Sequence, residues 1–160
     1  MDIIIWSIGL LILVFCFAVF FGAPYVPTRQ LDIEAIFEAI KPLGASSFVD
    51  LGSGDGKLIL YAAKHGYNAT GYEINPILWA ISTYRIRKYN NARIVFGNMW
   101  SADVSKADLV FCFLASKYMQ KLETKLSKEM HKGSTLASYV FELPSKKKSF
   151  KHNNTFFYRF

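Results

Sequence analysis

Residues 3–22 contain no charged side chain. As a helix, twenty residues rise about 30 Å, the thickness of a bilayer's hydrocarbon core. A helix in a globular core rarely runs so long without a polar face. A cleaved signal peptide would need a basic start and a small-x-small site. Met1-Asp2 supplies no Lys or Arg, and Pro24 follows the only small residues. The pattern therefore predicts a transmembrane helix, with a membrane anchor over 1–23. Pro24 and Pro27 then oppose helix and favour an extended lead-in, with Thr28 placed to cap the next helix. Leu31, Ile33, Ala35, Ile36, Ala39 and Ile40 form the stripe of that amphipathic helix, which stops near Gly44.

Beyond residue 46 the period alternates. Apolar runs over 47–51, 69–74, 92–96, 108–113 and 136–141 predict strands, and amphipathic stretches over 58–65, 76–89 and 118–130 predict helices. The run 108–113 becomes continuously apolar after Asp108, as expected of a parallel strand covered on both faces. An aromatic strand over 155–160, after an Asn153-Asn154 turn, is expected antiparallel at the sheet edge. The fold class expected is α/β, a Rossmann-like, doubly wound, mainly parallel sheet. Residues 1–23 are the anchor, 24–46 the lead-in and first helix, and 47–160 the core.

The chemistry concentrates where the first strand ends. Asp50-Leu51-Gly52-Ser53-Gly54-Asp55-Gly56 places three glycines at alternate positions ahead of a helix. Glycine lets the backbone turn sharply and approach a ligand that a Cβ would push away. The second strand brings Glu73, within Gly71-Tyr72-Glu73-Ile74-Asn75-Pro76, to its tip, where a carboxylate can accept both hydroxyls of a ribose. Together these predict a nucleoside cofactor. A dinucleotide site would use G-x-G-x-x-G to receive a pyrophosphate, and no G-x-x-x-x-G-K-[ST] loop is present. Carboxylates at both ends of the turn repel phosphate and suit a cation. S-adenosylmethionine, with a sulfonium, an ammonium and no phosphate, is such a ligand.

Charge adds an orientation. All nineteen Lys and Arg follow residue 28 and Asp2 is the one acid before it, so the net +7 of the chain becomes +8 beyond the anchor. The positive-inside rule puts that part on the cytoplasmic or mitochondrial matrix side. Ten basic and three acidic residues lie between Lys117 and Phe160, a face that could meet an anionic lipid surface or simply stay solvated. That stretch shows no RNA-binding motif, so nucleic acid is not the expected partner. Cys16 and Cys112 are badly placed to pair, and His65, His131 and His152 make no ligand spacing with them. No metal is expected.

The two motifs resemble those of class I, seven-strand, S-adenosylmethionine-dependent methyltransferases. With the uncharged span and Pro24-Tyr25-Val26-Pro27-Thr28 ahead of them, the chain is similar to the membrane-anchored protein-lysine methyltransferases. That family includes the mitochondrial enzymes acting on the ADP/ATP carrier and the ATP synthase c-subunit. The resemblance implies that Asp50, Gly52 and Gly54 line the methionine part of the cofactor and Glu73 its ribose. Asn98 and Met99, where the family often has Asp-Leu ahead of Trp, would sit at the adenine, and an Asn oxygen can still accept from its amine. Tyr25 and Thr28 would fold over the cofactor. Phe113-Leu114-Ala115-Ser116 would line the path of the nucleophile. Tyr25, Ser116 and Tyr118 are the candidates for orienting an acceptor amine, and no general base is assigned. The expected function is methylation of a lysine on a membrane protein. Methylation of a lipid-soluble small molecule or RNA, or a tethered binding protein without turnover, are the alternatives.

Overall fold

The computed structural model describes residues 3–10, 12 and 28–160. Tyr25 and most of the expected anchor lie outside these residues. Residues 3–10 and 12 are helical. Among the described residues no helix is long and apolar enough to cross a membrane.

The strands are β1 (Ser47–Leu51), β2 (Asn68–Glu73), β3 (Ala92–Phe96), β4 (Leu109–Cys112), β5 (Thr135–Tyr139), β6 (Phe150–His152) and β7 (Thr155–Arg159). They form one mixed sheet in the order β3-β2-β1-β4-β5-β7-β6. The first five are parallel, and β7 returns antiparallel beside β5. The chain order reverses between β1 and β4, so the carboxyl ends of these strands form the crevice where ligands bind in open α/β sheets.

Four helices, α1 (Gln30–Ile40), α2 (Lys57–Lys64), α3 (Pro76–Ile86) and α4 (Met119–Glu129), cover the sheet. α1 buries Ile33, Ile36, Phe37 and Ile40 against Phe48, Ile59 and Phe157 on one face. On the other, Leu122 and Leu126 of α4 meet Val110, Leu136 and Tyr158. Each such side chain contributes roughly 1.5–3 kcal/mol by leaving water. At the amino ends of the strands Asp108 staples β1 to β4. Its carboxylate accepts from both backbone N–H groups and both hydroxyls of Ser46 and Ser47.

Several boundaries differ from those the sequence predicts, each with a local cause. Arg29, not Thr28, is the residue at the start of α1, and no side chain caps that end. α3 stops at Ile86, because Asn91 draws the following loop onto the carbonyls of Ala63 and Tyr67. β5 ends at Tyr139, since Val140 turns the backbone to φ 71° and Ser138 donates its hydroxyl to the Phe141 carbonyl. The aromatic strand β7 is antiparallel but lies one place in from the edge. Residues 150–152 form the unforeseen β6 outside it, through a turn in which Asn153 has φ 49°.

Gly56 decides how α2 and α3 meet. Its φ is +77°, and a Cβ there would lie 2.7 Å from Cβ of Ser82. Gly56→Ala is expected to cost about 2–4 kcal/mol, combining left-handed strain with overpacking. A urea titration of the variant beside wild type measures it, and an unchanged midpoint would refute the packing argument.

Candidate functional site

The turn after β1 is fixed by backbone bonds before any ligand is considered. Gly52 and Gly54 have φ of 97° and 55°, a region L side chains rarely adopt. The N–H groups of Gly52 and Ser53 both donate to the Tyr72 carbonyl, at 3.0 and 2.9 Å. Gly71 brings β2 close beneath: a Cβ on it would stand 2.6 Å from both Cβ and Oγ of Ser53. Among the described residues, a Cβ on Gly52, by contrast, would meet nothing within 4 Å. Ser53 is buried, and among the described residues its hydroxyl has no hydrogen-bond partner.

Glu73 closes this arrangement. The residue is only 7% exposed. Oε2 accepts the Gly54 N–H at 2.8 Å and Oε1 accepts the Asn75 N–H at 2.7 Å. Asn75 in turn caps α3, its Oδ1 accepting from the N–H groups of Ile77 and Leu78. A carboxylate offers about four lone-pair sites. Two backbone donors therefore leave capacity on Glu73 for ligand hydroxyls while holding it still.

The two acids of the turn behave differently from each other. Asp50 is 3% exposed, and burial, with the charges of Glu73 and Asp55 added, pushes its carboxyl up to about 8. Burial also pushes Asp55 up, but the hydrogen bond and charge of Arg85, helped by Lys57, outweigh it and leave it below the ordinary range. Asp55 therefore belongs to a structural ion pair between the turn and α3. Of the two carboxylates expected to attract a cation, only Asp50 remains free to do so.

Asn98 caps the short turn Met99–Ser101, its Oδ1 accepting from the Trp100 N–H at 3.0 Å. Met99 and Trp100 pack against the α4-side core together with Tyr72. Tyr118 stands edge-on to Trp100 with ring centroids 6.2 Å apart. Ser116 opens the exposed turn Ser116–Tyr118 after β4. Thr28 is half-buried just ahead of α1. The structure thus joins Asp50, Gly52, Gly54 and Glu73 into one cluster and Asn98, Met99 and Tyr118 into a second around Trp100. Sequence reasoning missed Ser53, Gly71 and Asn75, though a glycine inside a strand is a sign of close approach. It also missed Tyr139, whose hydroxyl donates to Asp32 at 2.7 Å and ties α1 to the carboxyl end of β5. No sequence pattern marks that pair.

A mainly parallel sheet with a glycine turn after its first strand and a clamped carboxylate at the tip of its second defines a nucleoside-cofactor domain of the class I methyltransferase type. The chain belongs to the family described as the ANTKMT methyltransferase domain, whose model matches residues 50–150. It is 32% identical over 124 residues to the human ATP synthase c-subunit lysine N-methyltransferase, covering 76% of this chain and 53% of that protein. A protein-lysine N-methyltransferase of Saccharolobus islandicus (strain REY15A) is 35% identical over 125 residues, covering 75% and 78% respectively. The chain spans about half the length of most of the curated relatives it matches. An RNA methyltransferase from Salinibacter ruber, solved with S-adenosyl-L-homocysteine, superposes with a TM-score of 0.76 at 25% identity, over 84% of this chain and 92% of that one. Among the described residues no three His, Cys, Asp or Glu side chains group as a metal would require.

The raised Asp50 carboxyl gives a signed expectation. The folded chain keeps this proton where the unfolded chain, at the ordinary 3.8, has lost it. Stability of the ligand-free protein should then fall as pH rises from about 3.8 to about 8 and level off above. Asp50→Asn should flatten that slope and raise the unfolding temperature at pH 8. Parallel slopes for the two proteins in thermal melts across this range would contradict it.

Proposed function

We propose that this chain is an S-adenosylmethionine-dependent protein-lysine N-methyltransferase acting on a membrane protein. The carrying observation is the Glu73 clamp: a buried carboxylate, held from both sides, at the tip of β2 beside the glycine turn. The names of the human and Saccharolobus relatives support the acceptor. The adenine nucleotide translocase lysine N-methyltransferase of Mus musculus, 31% identical over 128 residues, supports it too. The donor set fits the cofactor. Among the described residues Gly52 leaves room for its methionine part, Glu73 has acceptor capacity for ribose hydroxyls, and Asp50, once a cation draws its proton off, would offer a negative charge to its ammonium. Asn98 and Met99 would meet the adenine. Once bound, the cofactor supplies an activated methyl group, and the protein's work is to position the acceptor.

A lysine amine has an ordinary pKa of about 10.4 and must lose its proton before it attacks. Partial desolvation at the carboxyl ends of β4 and β5 favours that loss. Tyr118 and Ser116 would line this side, and the resemblance to the family suggests that Tyr25 and Thr28 would fold over the cofactor from the lead-in. Residues 3–22 would anchor the chain in the membrane with the domain on the cytoplasmic or matrix side. An RNA acceptor is the second reading, favoured by the Salinibacter neighbour and the net positive charge.

Radiolabelled S-adenosylmethionine with host membranes tests the acceptor. The expected product is a protease-sensitive band that yields methyl-lysine on acid hydrolysis, and label in RNA or lipid would refute the protein reading. Glu73→Ala also strands the N–H groups of Gly54 and Asn75, so it should loosen the turn as well as the ligand. Asp50→Asn leaves those bonds in place. Loss of a charge-assisted contact worth about 1.5–3 kcal/mol should weaken cofactor binding about ten- to hundredfold. Isothermal titration at pH 8 reads this, and wild-type affinity for the cationic ligand should rise with pH as Asp50 ionises.

A further inference from the structure

α3 is apolar on the side that faces water. Its inward positions include Ser82, because Gly56 approaches too closely to admit a larger side chain. Ile77, Ile81 and Tyr84, spaced i, i+4 and i+7, stand outward with 51%, 44% and 66% of their surface exposed. Folding alone would place such residues inside, and an exposed apolar row along one side of a helix marks a contact surface.

The segment that carries this stripe has charges of one sign. Between Glu73 and Asp103 the chain carries no acid and four cations, Arg85, Arg87, Lys88 and Arg93. Arg85 is engaged by Asp55. Arg87 lies 3.6 Å over the Tyr84 ring, while Arg93 turns inward to Thr70 of β2 and takes no part. We propose that the stripe Ile77-Ile81-Tyr84, rimmed by Arg87 and Lys88, docks the domain onto an anionic lipid surface. An interfacial helix has this construction, with apolar side chains at the acyl boundary and cations among the headgroups.

The lysine-rich edge formed by β6 and β7 is the rival surface. There Lys146 lies over Phe160, Lys148 and Lys151 lie over Phe156, and Lys148 pairs with Glu142. Phe156 beneath them is buried, and Phe150 is stacked on Phe157. That edge offers charge with little apolar surface to insert. The sheet order places β3 and β6 at opposite edges, so one flat bilayer cannot engage both. Docking through α3 also sets its capped amino end, and Glu73 behind it, near the headgroups, without depending on the reaction proposed above.

An environment-sensitive fluorophore at Ile81→Cys or Lys151→Cys decides between the edges in the full chain. Cys16→Ser removes one competing thiol. Cys112 stays, since burial pushes its thiol up to about 12 and leaves it unreactive. With phosphatidylcholine–phosphatidylglycerol vesicles, the label at 81 should shift blue and lose severalfold of its quenching by aqueous iodide. The label at 151 should not change. Vesicles of phosphatidylcholine alone should give a smaller effect at 81, and adding Ile77→Glu should abolish it. Full iodide access at 81 on vesicle-bound protein, protection at 151 instead, or no vesicle binding would each overturn the proposal. So would protection at 81 that requires an added membrane protein, which would make the stripe a protein-docking face.

Discussion

The fold and the site share one buried carboxylate. Glu73 accepts from Gly54 on the β1 side and from Asn75 on the β2 side, residues nineteen apart on the first bond and two on the second. Hydrogen bonds to a charged acceptor are roughly twice as strong as neutral ones. This pair therefore locks two loops into a single rigid edge. Asn75 extends the lock into α3, and the shared Tyr72 carbonyl extends it under the glycine turn. A ligand arriving at this edge finds its acceptor already oriented, so little ordering entropy remains to be lost on binding.

Three acids lie within this small region, and the protein treats each in its own way. Arg85 and Lys57 neutralise Asp55, and backbone donors satisfy Glu73. Asp50 is governed by burial, which holds its proton at neutral pH. The unspent electrostatic response of the site is thereby concentrated on one side chain. A cation brought next to Asp50 would draw its pKa down, releasing a proton on binding.

Much of this was legible in the chain because the signals were local. The continuous apolar run of β4, the alternation of strands and helices, and the glycine spacing each reflect a neighbourhood of a few residues. So does the carboxylate at the end of β2. What escaped depended on residues far apart in sequence. Arg85 reaching Asp55, Tyr139 reaching Asp32 and Ser82 meeting Gly56 are products of packing, and no window on the sequence contains both partners. The end of β5 was misplaced for a similar reason. Val140 is a strand-forming residue held in the left-handed region, its N–H bonded to the Asn154 carbonyl from the hairpin beyond.

The short strand β6 has a consequence for the chain in a crowded solution. A mixed sheet ends in two rows of unpaired backbone groups, each a template on which another chain can add a strand. Here one border is only three residues long and carries Lys151, and the other, β3, carries Arg93. Like charges on both borders make sheet-to-sheet growth between copies self-repelling, which protects the protein from fibrous association during the time it spends folding.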